Sequence, residues 1–366
     1  MAKSRIGPFA LEAPLAVPSG GSQIFRGIHL EQKRLAAIRV FPLPMGLTPE
    51  SRQAYADQLE ELKLLRHAGI VRCYGGGFDA RRAFLAYEMV EGESLDASLE
   101  RRGQLPWETA LDYSRQAAEA LEYVHEKNWI HERLSPSKML ISTSGIVKLA
   151  DWRREAISSM LTTKLSLEQL QYSAPEVIRG EAKTAKSDLY SLGAMMYCML
   201  VGKPPFEGND PDELKQRILS EPASSVAAQV FDCPVWLDAI IAQLLSKDPA
   251  SRPYSARALL LAFAEAEKRQ SQGVGVLQHA TAGFSPLQMN VDRGEAEKVL
   301  GIKPKKKKKK KAQSDSVFEN PLVLIVCLVA AIGGVTWFLW PPSEAQLVAE
   351  AKELLASEDY NDWNYA

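Results

Sequence analysis

The stretch SDLYSLGAMMYCMLVGKPPF, residues 187–206, places its apolar side chains at three- and four-residue steps, the spacing of a helix. The same spacing recurs in PWETALDYSRQAAEALEYVHEK (106–127), DELKQRILS (212–220), WLDAIIAQLLSK (236–247) and SARALLLAFAEAEKRQ (255–270). Helices therefore dominate after residue 105. Upstream the pattern changes. LAAIRVFP (35–42), IVRCYGGGF (70–78) and RAFLAYEMV (82–90) read as strands around one helix, ESRQAYADQLEELKLLRH (50–67). The expectation is an α+β chain with two lobes over residues 11–265. A small β-rich lobe covers about 11–90 and a larger helical lobe about 91–265.

The 366 residues are 46% hydrophobic and 24% charged, the composition of a globular chain with a substantial core. The net charge of −1 hides a segregation: Lys303 and Lys305–Lys311 contribute eight positive charges, which leaves the rest of the chain at −9. Nucleic acid as a partner of the folded part has no support in that balance. Cys73, Cys198, Cys233 and Cys327 show no C-x-x-C spacing, so reduced, buried thiols are expected rather than a disulfide framework or zinc site. The N-terminal stretch has no uninterrupted apolar core before its prolines and is not a signal peptide.

PLVLIVCLVAAIGGVTWFLW, residues 321–340, carries no charge. As a helix these residues would extend about 30 Å, the thickness of a bilayer's hydrocarbon core. The expectation is a single-pass span in the cell membrane. The lysine run 305–311 lies N-terminal to it, which places residues 1–319 in the cytoplasm and attracts anionic lipid by about 1 kcal/mol per lysine near the surface. Residues 270–318 read as a flexible juxtamembrane tether. Residues 341–366 read as a short acidic tail outside the cell.

The order of motifs resembles the eukaryotic-type (Hanks-type) Ser/Thr protein kinase family over residues 11–265. The resemblance is carried by His131 and Leu134 in NWIHERLSPSKML (128–140), Asp151, SAPE (173–176), the Asp-x-Tyr-Ser-x-Gly run from Asp188, and Arg252 in DPASRPYSA. It implies the two-lobed kinase fold, with ATP and Mg²⁺ as cofactors in an active member. It also implies a buried structural ion pair between Glu176 and Arg252, and places Tyr87 as the gatekeeper at the rear of the nucleotide pocket.

Several family positions depart from the pattern. Val17, Ser19 and Ser22 stand at the three glycine places of the phosphate-covering loop, where Cβ atoms crowd an approaching phosphate. The strand lysine is Arg39, a planar fork rather than a compact ammonium. The helix glutamate that would anchor it is Gln58, with Glu60 and Glu61 on the wrong helical face. The catalytic base is Arg133, which cannot accept a proton. The metal-holding asparagine is Lys138, a cation where a cation should bind. The loop lysine is Ser135, and Gln169 replaces a threonine. D-F-G reads Asp151-Trp152-Arg153, so Asp151 survives as one weak metal ligand. Glu132 replaces the arginine that grips a phosphorylated activation segment and would repel phosphate.

The expectation is a degenerate, pseudokinase-like member that requires no cofactor. It is read as a signalling scaffold or allosteric partner of other signalling proteins, tethered to the membrane, with a Lys138 or Arg133 contact to Asp151 replacing the metal. The alternative is a weak Ser/Thr kinase or another ATP-dependent transferase on the kinase fold, which would need ATP and Mg²⁺.

Overall fold

A computed structural model of the chain describes residues 4–16, 22–43, 48–79, 81–152 and 167–271. The chain divides between Lys303 and Pro304, and every described residue belongs to the first unit.

The small lobe is a six-stranded antiparallel sheet in the order β1-β2-β3-β4-β6-β5. The strands are β1 (Arg5–Ile6), β2 (Phe9–Ala16), β3 (Gln23–His29), β4 (Leu35–Pro42), β5 (Cys73–Asp79) and β6 (Arg82–Glu88). Alternation along β4 decides which way its side chains point. Ala36, Ile38 and Val40 enter a small outer cluster with Ile6, Phe9, Leu11, Phe84 and Ala86. Arg39 and Phe41 are therefore turned to the opposite, inner face, where Phe41 joins the main core. Helix α1 (Pro49–Leu64) covers that face through Tyr55, Leu59 and Leu62. Its start is fixed by Thr48, whose Oγ1 accepts a hydrogen bond from the Ser51 amide at 3.2 Å. The Tyr55 hydroxyl donates to the Phe84 carbonyl at 2.9 Å, pinning helix to sheet.

The large lobe holds α2 (Leu95–Arg102), α3 (Trp107–His125), α4 (Leu167–Gln171), α5 (Pro175–Ile178), α6 (Ala185–Val201), α7 (Pro211–Ser220), α8 (Val235–Leu244) and α9 (Ala256–Ser271). A three-stranded sheet of β7 (Gly92–Ser94), β8 (Met139–Ser142) and β9 (Val147–Leu149) borders it. Helix α6 is buried continuously from Ser187 to Leu200, so it forms the axis of the lobe rather than one amphipathic wall. At Gly193 an added Cβ would lie 2.5 Å from Leu244 Cβ, so only glycine lets α6 and α8 approach this closely.

The folded region is longer at both ends than residues 11–265. Ile6 is fully buried and completes the outer cluster. At the other end Ala266 is buried, and Arg115 meets Glu267 at 2.6 Å, so α9 continues to Ser271 into the expected tether. Cys73, Cys198 and Cys233 are buried free thiols. Among the described residues no helix is long and apolar enough to cross a membrane. The expected tether beyond Ser271, the lysine run, the span 321–340 and the tail lie outside the described residues.

Candidate nucleotide site

Asp151 lies just after β9 with φ +69°, a left-handed conformation that aspartate tolerates better than most residues. It stands next to Trp152, which is fully buried and donates from Nε1 to the Leu149 carbonyl at 2.9 Å. The Trp152 ring packs on His131 at a centroid distance of 4.4 Å. His131 in turn binds the Ala150 carbonyl through Nε2 at 2.8 Å. This packing fixes the backbone that carries the Asp151 carboxylate.

Among the described residues, Arg39 and Lys138 converge on that carboxylate. Arg39 Nη1, from the inner face of β4, hydrogen-bonds Oδ1, and Lys138 Nζ lies 3.3 Å from Oδ2. All three side chains are largely covered, 3%, 9% and 7% exposed for Arg39, Lys138 and Asp151. The other Arg39 amine, Nη2, donates to Ser22 Oγ at 3.1 Å, and Ser22 is buried too. Ser22, Arg39, Asp151 and Lys138 form one connected network across the cleft. Arg39 Nε has no hydrogen-bond partner among the described residues.

The expected Lys138 contact to Asp151 is present, and Arg39, which the sequence did not single out for this contact, is the nearer of the two cations. The reason is geometric. The inner face of β4 delivers a long side chain straight across the cleft, a placement that sequence spacing does not reveal. Arg133 is half-buried in the loop before β8. Gln58 is half-buried on α1, while Glu60 points outward and pairs with Lys63 at 2.8 Å. Tyr87 is buried on β6 within the main core. Ser135 is buried, with its Oγ 3.1 Å from Ser137 Oγ. Gln169 lies on α4, where its carbonyl accepts from Ser173 Oγ at 2.9 Å. Val17, Ser19 and Arg153 lie outside the described residues.

The donor set does not suit a divalent metal. The surviving carboxylate is already neutralised by two cations, and Lys138 brings positive charge to the place of a second ligand. Among the described residues no group of three or more His, Cys, Asp or Glu side chains is arranged to hold a metal. The arrangement binds charge to charge; it offers no proton acceptor at Arg133.

Asp188, the fourth residue of α6, organises the loop from below. Its Oδ2 accepts from the His131 amide at 2.8 Å, its Oδ1 accepts from the Glu132 amide at 3.0 Å, and His125 Nε2 lies 2.9 Å from Oδ2. Burial lowers the pKa of His131, partly opposed by the Asp188 and Asp151 carboxylates. Asp188 was visible in sequence only as the first residue of the Asp-x-Tyr-Ser-x-Gly run. Below it, Arg252 and Glu176 meet in a doubly hydrogen-bonded pair. Burial raises the Glu176 pKa, but Arg252 together with hydrogen bonds from the backbone and Ser187 outweighs it and holds the carboxyl below its ordinary value.

A protein kinase domain model matches residues 19–263. Serine/threonine-protein kinase PknL of Mycobacterium tuberculosis is 28% identical over 240 residues, 64% of this chain and 60% of the relative. PknB of Mycobacterium leprae is 28% identical over 241 residues, 64% of this chain and 39% of the relative. PknA of Corynebacterium glutamicum is 35% identical over 176 residues, 46% of this chain and 36% of the relative. The chain spans less than two thirds of the length of each of these relatives.

Proposed function

The chain belongs to the protein kinase domain family, and from that premise we propose that it is a pseudokinase: a kinase fold that engages signalling partners instead of transferring phosphate. The observation that carries this reading is the Asp151 carboxylate held between Arg39 and Lys138. Phosphoryl transfer depends on positioning and on charge stabilisation by metal and base. Here the metal-binding acid is paired internally, and Arg133 stands at the base position.

The same reading includes a membrane anchor. The uncharged run 321–340 supplies the span, Lys305–Lys311 meet anionic lipid, and the kinase-like domain faces the cytoplasm. A membrane-tethered fold whose cleft carboxylate is paired with two cations suits a scaffold or allosteric partner.

A second reading, a weakly active Ser/Thr kinase or another ATP-dependent transferase, is favoured by the survival of Asp151 and by the kinase names of the relatives. The two separate in one experiment. The full chain in detergent is melted with ATP, with and without Mg²⁺ or Mn²⁺, and assayed for transfer of the γ-phosphate. The pseudokinase reading expects no metal-dependent stabilisation and no transfer. Saturating metal–ATP that adds about 2.7 kcal/mol at a hundredfold excess over Kd, accompanied by transfer, establishes the second reading instead.

A further inference from the structure

On the small lobe, away from the cleft, lies a cavity of about 350 Å³ lined by Arg34, Lys63, Arg66, Arg72, Tyr74 and Gly75 among others. Among the described residues no Asp or Glu side chain lines it. The cations come from separate elements. Arg34 precedes β4, Lys63 ends α1, Arg66 follows α1, and Arg72 precedes β5. Lys63 is paired with Glu60. Arg34, Arg66 and Arg72 make no carboxylate pair among the described residues, in a chain that is net negative outside its lysine run.

Tyr74 arranges two of these guanidiniums. A register shift between Cys73 and Gly75 interrupts the β5–β6 ladder at Tyr74. The Arg34 guanidinium lies 4.2 Å from the ring centroid, and that of Arg72 lies 5.8 Å away. A Cβ at Gly75 would meet nothing within 4 Å, so the backbone there opens on free space.

We propose that this cavity binds a small diphosphate-class anion. Guanidinium forks match phosphate oxygens in pairs, and three exposed forks without a carboxylate partner on the guanidinium favour a multiply charged ligand over a single carboxylate. The volume falls at the lower end of small-molecule sites, about 300–1,000 Å³. Because Lys63 and Arg66 lie at and just beyond the end of α1 while Arg34 and Arg72 lie directly before β4 and β5, the bound anion ties the end of α1 to the sheet. The site is independent of the cleft reading.

The test is calorimetric titration of the full chain with inorganic pyrophosphate in the absence of metal. It uses a background in which Lys305–Lys311 are changed to Gln, so that the lysine run does not contribute. The expected result is saturable binding at one site, weakened about tenfold or more by Arg34→Gln and by Arg66→Gln. Arg72→Lys, which keeps the charge but loses the fork, weakens it as well. Ligand-free melting curves verify that each variant is folded. ADP titrated alongside identifies the source: parallel loss in the variants assigns an esterified diphosphate, whereas unchanged ADP binding restricts the cavity to the free anion. No saturable binding at millimolar pyrophosphate, or equal affinity in the folded variants, overturns the proposal.

Discussion

Glu132 accepts a hydrogen bond from the Lys183 ammonium at 2.8 Å. The pair joins the loop before β8 to the segment between α5 and α6. Glu132 stands where the family resemblance implies an arginine that grips phosphate, yet its partner is a cation already present in the chain. Both side chains are about a third exposed, 33% for Lys183 and 29% for Glu132, so their coupling is that of a partly screened pair, about 0.2–1 kcal/mol. Glu132→Lys and Lys183→Glu should each lower the melting temperature, and the double swap should recover most of the loss. A double-mutant cycle with zero coupling energy removes this pair as a link between the two segments.

Arg252 binds Glu176 through two hydrogen bonds of 2.7 and 2.8 Å, and Ser187 Oγ donates a third to the same carboxylate at 2.8 Å. Arg252 also donates to the carbonyls of Ser246 and Lys186, both at 2.9 Å. Arg252→Ala strands a buried carboxylate and should cost about 3–5 kcal/mol in chemical denaturation. The double change Glu176→Leu with Arg252→Met should cost much less than the single one, because no buried charge is left uncompensated.

Lys247 provides an alkaline test. Its Nζ donates to the Ile218 carbonyl at 2.5 Å and lies 3.9 Å from the centre of the Phe206 ring. Burial lowers its pKa to about 8, against about 10.4 in the unfolded chain. Between these values the unfolded state holds more protons than the folded state, so this group makes stability rise with pH. Lys247→Met should remove that rise. Urea midpoints of the two proteins compared from pH 8 to pH 10 should show the native chain gaining on the variant; parallel curves refute the shift.

Much of the fold was legible because its buried elements carry strong apolar runs or helical periodicity. Strand β4 coincides with LAAIRVFP, and every helix expected after residue 105 is present. Strands β1–β3 were not resolved in sequence. In β2 only Phe9 and Leu11 are buried, and in β3 only Gly27, so no sustained alternation was available to read. The site was legible as residue types and not as contacts. Arg39, Lys138 and Asp151 were singled out, but the Ser22–Arg39 bond depends on the pairing of β3 with β4, and no motif announced Lys183. Long-range contacts between polar side chains leave no period in a sequence.

Membrane topology is tested by labelling. Residues 1–319 are expected inside and 341–366 outside, on the strength of Lys305–Lys311 beside an uncharged run of 20 residues, 321–340. A membrane-impermeant maleimide applied to intact cells should modify Ser343→Cys and leave Ser314→Cys unmodified, with labelling of the native cysteines subtracted. The reverse pattern inverts the orientation, and equal labelling of both positions rules out a single span.

Asp151→Asn separates the two functional readings. Asparagine tolerates the left-handed backbone at this position as aspartate does, so the change removes charge without adding backbone strain. With the carboxylate gone, Arg39 and Lys138 face each other across a buried site with no anion between them. Breaking a buried ion pair in this way typically costs about 3–5 kcal/mol, and the surviving amide oxygen should hold the loss toward the lower end. Adding Lys138→Met to Asp151→Asn should restore part of the stability, because one of the two uncompensated cations is removed. A pseudokinase therefore loses melting temperature on Asp151→Asn and has no transfer activity to lose. If Asp151→Asn leaves the melting curve unchanged but abolishes a measurable Mg²⁺-dependent phosphoryl transfer, Asp151 is a metal ligand and the chain is an active kinase.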